Sequence, residues 1–366
     1  MFIRFHHVDR SLERLENAEA TLAGHIQPTT TAHAFRLVGD RLIREDTLSS
    51  HALKGMLGYS RDPGIGDPAT LELARCRLRG ERFEVRTSAY AIAFKSNIRA
   101  FYIGSPGCTL KVNAPGTSTE FLHNEIRVRQ NSGVHESVGI PKLITWSEND
   151  SWLCLLEESI HGRRPVGKWA NDWMSRAAMP AILDMYHQSG VELTPARQLV
   201  DPSLLASRIQ AIAEHTGWTP GDENLDRFLS RIEALRSILD CCVLTSAGHG
   251  DLTIDNILAD KDDHVVLLDW ERAGRMTILH DLRKLLRRFP ALHELVASRF
   301  RAWFAHAQLP TFSNHRLISR LHGIGLRFDT WQSFRLNRQT DKGMADSFIR
   351  KATRELDELD QLCATA

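Results

Sequence analysis

HGDLTIDNILADKDDHVVLLDWE, residues 249–271, is the stretch from which the rest of this chain can be read. His249, Gly250 and Asp251 are followed by four residues and then Asn256; Asp269 comes thirteen residues later, closing the apolar run Val265-Val266-Leu267-Leu268. The pattern predicts a tight polar loop, a short hairpin, and a carboxylate delivered by a buried strand. A carboxylate placed like Asp251 can accept the proton of a hydroxyl. Asn256 and Asp269 supply the hard oxygen donors that Mg²⁺ prefers, with nucleotide phosphates and water completing its shell. A proton acceptor beside such a loop suits phosphoryl transfer, where catalysis is mostly positioning and charge neutralisation.

The stretch resembles the catalytic and metal loops of the aminoglycoside phosphotransferase and choline kinase group, small-molecule relatives of the eukaryotic-type protein kinases. Protein kinases write H-R-D-x-x-x-x-N and D-F-G; this chain writes H-G-D-L-T-I-D-N and D-W-E, with the same step from Asp251 to Asn256. An HxD triplet alone is common, whereas its coincidence with the asparagine and with an apolar strand ending in Asp-Trp-Glu is not. The resemblance implies an α+β, bilobal protein-kinase-like fold. Its small antiparallel-sheet N-lobe would span 83–158 and its mainly helical C-lobe 159–366, carrying both loops. Residues 1–82 would be an N-terminal extension with no assigned role or protein partner. It also implies a kinase that moves the γ-phosphoryl of ATP (or GTP) to a hydroxyl of a small-molecule or glycan-type acceptor. Asp251 would be its base, Asn256 and Asp269 its Mg²⁺ ligands. His249 would stiffen the loop, Glu271 would brace the strand end, and Asp281 would brace the catalytic loop from a helix start. The alternative is a pseudokinase-like nucleotide-binding or scaffolding module, whose usual sign is a lost loop residue; Asp251, Asn256 and Asp269 are all present.

Composition sets the outer bounds. The chain has 366 residues, 42% of them hydrophobic and 25% charged, and a net charge of +1. These values describe a globular protein large enough for more than one domain and give no basic bias toward nucleic acid. The six cysteines show no C-x-x-C pair or metal-ligand spacing, so reduced thiols are expected. The start, MFIRFHHVDRSLERLE, is broken by charge too early for a signal peptide, and no apolar run approaches the ~20 residues a bilayer requires. A cytoplasmic protein is expected.

Upstream of the loops, Ser11 to Leu22 carries helical spacing, and Gly64 and Gly66 read as turn punctuation without the P-loop sequence. Strand texture begins near 83. The runs Ile98–Ile103 and Cys108–Val112, joined by Gly104-Ser105-Pro106-Gly107, read as a hairpin. Lys111 sits centrally in the second run. On the residues alone the ordinary reading is an edge-strand lysine turned to solvent; in the resemblance it corresponds to the strand lysine that holds the α/β-phosphates. Ser118 to Val128 reads as a helix, and its Glu125 is either a surface glutamate or the partner of that lysine. No G-x-G-x-x-G precedes the hairpin, and the phosphate-covering turn is expected around Lys95-Ser96-Asn97. Trp152–Leu156 reads as a strand leading to a hinge, Glu157 to Gly162, where Glu158 and Ile160 would flank the adenine and the acidic pair would be solvated. Residues 165–240 and 291–362 are helical in texture. Arg283, Lys284, Arg287 and Arg288 read as a solvated helix face, or as a patch for an anionic substrate.

Overall fold

The computed structural model describes residues 8–27, 29–38, 41–45, 82–94, 97–102, 107–115, 117–131, 136–207, 239–304 and 315–323, with single helical residues at 210, 226 and 230. The expected turn at Lys95-Ser96, the Gly64-Ile65-Gly66 segment and the part of the expected helical region beyond residue 323 lie outside them. The chain forms two compact units, 1–178 with 254–272, and 179–253 with 273–366.

In the first unit, helix α1 (Val8–Thr21) precedes β1 (His33–Val38), β2 (Arg41–Arg44), β3 (Arg82–Val85), β4 (Ala91–Phe94), β5 (Asn97–Tyr102) and β6 (Cys108–Asn113). Helix α2 (Glu120–Gln130) then leads to β7 (Leu143–Glu148) and β8 (Leu153–Glu158). All eight strands form one antiparallel sheet in the order β3-β1-β2-β4-β5-β6-β8-β7. The expected extension 1–82 thus supplies strands to this sheet, and its expected boundary falls inside β3, which pairs with β1.

Strand alternation decides which side chain meets which helix. Leu110 and Val112 of β6 share a buried cluster with Leu12, Leu15, Ala18 and Leu22 of α1. Leu153 and Leu155 of β8 cluster with Leu122 and Ile126 of α2 on the opposite face. Lys111, between Leu110 and Val112, therefore turns toward α2. Buried polar contacts fix α1 in place: Glu19 accepts from the Tyr102 hydroxyl at 2.5 Å and from Thr87 Oγ1. The Ser118 hydroxyl accepts from the Glu120 amide at 3.1 Å, just ahead of α2.

After β8 come α3 (Lys168–Trp173), a π-helical turn over Met174–Ala178, α4 (Met179–Gln188), β9 (Glu192–Pro195) and α5 (Ala196–Leu199). Strand β9 falls within the region expected to be helical. The chain continues through β10 (Cys242–Gly248), β11 (Ile257–Ala259), β12 (Val265–Leu267), β13 (Gly274–Thr277), α6 (Ile278–Arg288) and α7 (Leu292–Trp303). In the second unit β13, β10 and β9 form an antiparallel sheet. Hairpin β11–β12 belongs to the first unit, bridged to Gly139 and Arg163. The division therefore departs from the expected break at 158/159, because 254–272 pairs with segments ahead of 178. Cys108, Cys154, Cys241 and Cys242 take part in no disulfide. No helix among the described residues is long and apolar enough to cross a membrane.

His315 and His322, on the helical stretch 315–323 of the second unit, are buried, and burial lowers both from 6.5 to about 4. The unfolded chain then takes up protons more readily than the folded one. The stability these neutral rings contribute is complete above pH 6.5 and is lost as pH falls toward 4. Urea midpoints are expected to drop between pH 7.5 and 5, and the double variant His315→Leu, His322→Leu to flatten that dependence. An unchanged slope would mean that neither ring gains a proton on unfolding.

Candidate active site

Lys111 is the centre of the first unit's polar interior. Its ammonium is 3% exposed, and Nζ donates to both carboxylate oxygens of Glu125, at 2.9 and 2.8 Å. It also lies 3.1 Å from Glu157 Oε1 and 3.3 Å from Asp269 Oδ1. Burial works against its charge, but Glu125, Glu157 and Asp269 outweigh burial and hold the lysine above its ordinary value. Arg129, one turn beyond Glu125 on α2, pairs with Glu125 at 3.0 Å and with Glu157. Burial alone would raise the Glu157 carboxyl; Arg129 and Lys111 bring it below the usual carboxylate value. Each acid is thus matched to a cation, as charges out of water must be.

The residues expected to hold the metal are set by backbone geometry. Asp269 takes φ of 70°, a left-handed conformation few non-glycine residues adopt. The turn Trp270–Arg272 that follows is pinned by the buried Trp270 indole, which donates to the Leu267 carbonyl at 3.0 Å. Burial would raise the Asp269 carboxyl, but Lys111 and Arg99 hold it well below the carboxylate range. Arg99 of β5 reaches Asp269 Oδ1 at 2.8 Å and Glu271 Oε1 at 2.6 Å. Asn97 donates to Glu271 Oε1 at 2.7 Å, and Asn124 of α2 donates to the Glu271 carbonyl at 3.2 Å. The Asn256 carbonyl accepts from the Leu268 amide at 2.9 Å, so Asn256 and Asp269 are held close together. One carboxylate oxygen from each of Glu125, Asp269 and Glu271 lies within 4.8 Å of the others. These donors, all oxygen, suit a hard divalent cation such as Mg²⁺.

The loop His249-Gly250-Asp251 lies in the second unit, where Asp281 of α6 gathers it. Asp281 Oδ2 accepts from the His249 amide at 2.6 Å and the Tyr186 hydroxyl at 2.9 Å. Its Oδ1 accepts from the amides of Gly250, at 3.0 Å, and Leu252, at 3.3 Å. Gly250 takes φ of 82°, and a Cβ on Gly248 would stand 2.8 Å from Asp281 Oδ2. A larger residue at 248 would push the brace aside. The buried His249 accepts from the Asp251 amide at Nδ1, 3.3 Å away. Lys284 donates from Nζ to Asp251 Oδ1.

The structure thus brings Lys111, Glu125 and Asp269 together, with Asn256 tied to the residue before Asp269. Glu158 ends β8 and Ile160 follows outside any strand or helix, both half-buried. Lys95 and Ser96 lie outside the described residues. Glu157 is a correction: it is buried against Lys111 and not solvated, because on β8 it shares a face with Leu153 and Leu155. Lys284 is another, since it pairs with Asp251, while Arg283 bonds the His280 carbonyl and only Arg287 and Arg288 are exposed. Sequence reasoning missed Arg99 and Arg129; the latter carried a signal, standing four residues after Glu125 on a predicted helix.

A sequence profile for the phosphotransferase enzyme family matches residues 99–318. No curated protein matches the chain. Among solved structures, an apo thermostable mutant of the aminoglycoside phosphotransferase APH(4)-Ia is similar at 15% identity, with a TM-score of 0.45, over 74% of this chain and 92% of its own. ADP-bound aminoglycoside phosphotransferase APH(2'')-Ib gives 10% identity and a TM-score of 0.48, over 81% and 99%. The GDP complex of wild-type aminoglycoside 2'-phosphotransferase-IIIa gives 14% and 0.47, over 71% and 88%.

Asp281→Ala would leave the loop amides and the Tyr186 hydroxyl without this acceptor. Each buried group stranded in this way costs about 1–3 kcal/mol. Denaturant titration is expected to show a loss of at least about 2 kcal/mol, and hydrogen exchange to show faster exchange at His249, Gly250 and Leu252. Wild-type exchange at those amides would show that Asp281 does not hold the loop.

Proposed function

This chain belongs to the phosphotransferase enzyme family, and on that premise we propose that it moves the γ-phosphoryl of ATP or GTP to a hydroxyl of a small-molecule or glycan-type acceptor. The observation that carries this reading is the buried Lys111 ammonium, held by Glu125 and touching the one carboxylate, Asp269, that stands in left-handed backbone at the end of the apolar run.

Asn256 and Asp269 would hold Mg²⁺, with Glu271 near enough to join them. The ion, when bound, supplies neutralisation of phosphate charge. Lys111 takes the negative charge of the α/β-phosphates, and its bond to Glu125 fixes where that positive charge sits. Lys95 and Ser96 would cover the phosphates, and Glu158 and Ile160 would flank the adenine. Asp251 accepts the proton of the acceptor hydroxyl; the His249 ring and Asp281 set the loop that presents it. Lys284, on Asp251 Oδ1, keeps a positive charge beside that carboxylate.

A panel of hydroxyl acceptors, screened by mass detection of phosphorylated product, identifies the substrate. With that substrate, Asp251→Asn is expected to lower turnover at least ~10²-fold while nucleotide affinity measured by calorimetry changes little. Turnover within a few-fold of wild type would remove Asp251 from the role of base. Asp269→Asn is expected to abolish Mg²⁺-dependent turnover in a folded protein. Unchanged turnover would displace the metal from this residue.

A further inference from the structure

Strands β5 and β6 pair so that Arg99 stands directly opposite Lys111. Like charges facing each other across an antiparallel pair repel, and more strongly when shielded from water. Here the arginine side chain is 16% exposed and the lysine 3%. Such a pairing needs an anion between the two cations, and both contact the same atom, Asp269 Oδ1, at 2.8 and 3.3 Å. Arg99 also donates to Glu271 Oε1 at 2.6 Å. Its Nε is buried without a hydrogen-bond partner among the described residues, so the guanidinium has donor capacity these two carboxylates do not use.

We propose that Arg99 is a second phosphate-contacting cation of the nucleotide site. Its guanidinium, held beside Lys111 by Asp269 and Glu271, would bond phosphate oxygens of the bound nucleotide. The inference builds on the reading of Lys111 and Asp269 as the phosphate and metal positions. A guanidinium is well matched to phosphate, because its planar fork bonds two oxygens at once, which an ammonium cannot do. A divalent cation taken up by Asp269 cancels the charge that holds Arg99 there, and the phosphates offer a replacement. Arg99 also sits three residues beyond Ser96, on the strand that follows the expected phosphate-covering turn. Because Asp269 Oδ1 contacts both Arg99 and Lys111, a divalent ion must compete with these cations for it.

The test uses the full chain, with ADP in EDTA followed by calorimetry and MnCl₂ alone followed by the free-ion electron paramagnetic resonance signal. Arg99→Gln is expected to weaken metal-free ADP binding at least ~10-fold, the size of a lost hydrogen bond to a charged group. The same variant is expected to bind Mn²⁺ alone more tightly than wild type. Arg99→Lys keeps the charge but not the fork and is expected to weaken ADP binding several-fold; it carries the test if the Gln variant fails to fold. Wild-type ADP and Mn²⁺ affinities in a folded Gln variant, or wild-type ADP affinity in the Lys variant, would overturn the role of Arg99. A wild-type protein that binds no ADP, with or without metal, would instead overturn the phosphate-site reading itself, and this inference with it.

Discussion

Taking an ammonium out of water costs several kcal/mol, and in this chain Lys111 on β6 is buried all the same. Glu125 comes from α2, Glu157 from β8 and Asp269 from the turn after β12, so offsetting that cost draws three separate elements onto one nitrogen. Removing any one acid strands the remaining charges, and breaking a buried pair in this way costs about 3–5 kcal/mol. The first unit is therefore organised around its polar centre as much as around its apolar clusters. Arg129 and Arg99 extend the arrangement by giving Glu157, Asp269 and Glu271 partners of their own.

The second unit meets a different requirement with one acid. The amides of His249, Gly250 and Leu252 turn inward, where unpaired donors are costly, and Asp281 receives them. That is why Gly248 and Gly250 flank His249: one leaves room for the carboxylate, the other permits the left-handed turn. The backbone at Asp251 is held through His249 Nδ1, which accepts from its amide, and its carboxylate is paired with Lys284.

Much of this was legible in the sequence because it depends on local spacing. The apolar run ending in Asp269, the hairpin around residues 104–107 and the amphipathic stretch ahead of Leu22 each specify their element without help from distant residues. Glu157 was misread because a glutamate after an apolar run looks like a strand end turning to water; only a lysine and an arginine from other elements make its burial tolerable. Arg99 was missed for a related reason. Had the hairpin register been counted from its turn, Arg99 would have fallen opposite Lys111, a pairing that asks for an anion. The acid itself, Asp269, is 170 residues away in sequence from Arg99, and no local pattern announces it. The pairings of β1 with β3 and of β2 with β4, and the joining of 254–272 to the first unit, are likewise long-range.

The most direct measurement concerns the bond between Lys111 and Glu125. ADP affinity is measured by calorimetry for the wild type, Lys111→Met, Glu125→Gln and the double variant, each checked for folding by thermal melting. If Glu125 serves nucleotide binding through the lysine it holds, the two losses overlap, and the double variant binds ADP about as well as the weaker single one. Losses that simply add would mean that the two side chains act independently, and the buried ion pair would then not be what sets the phosphate site.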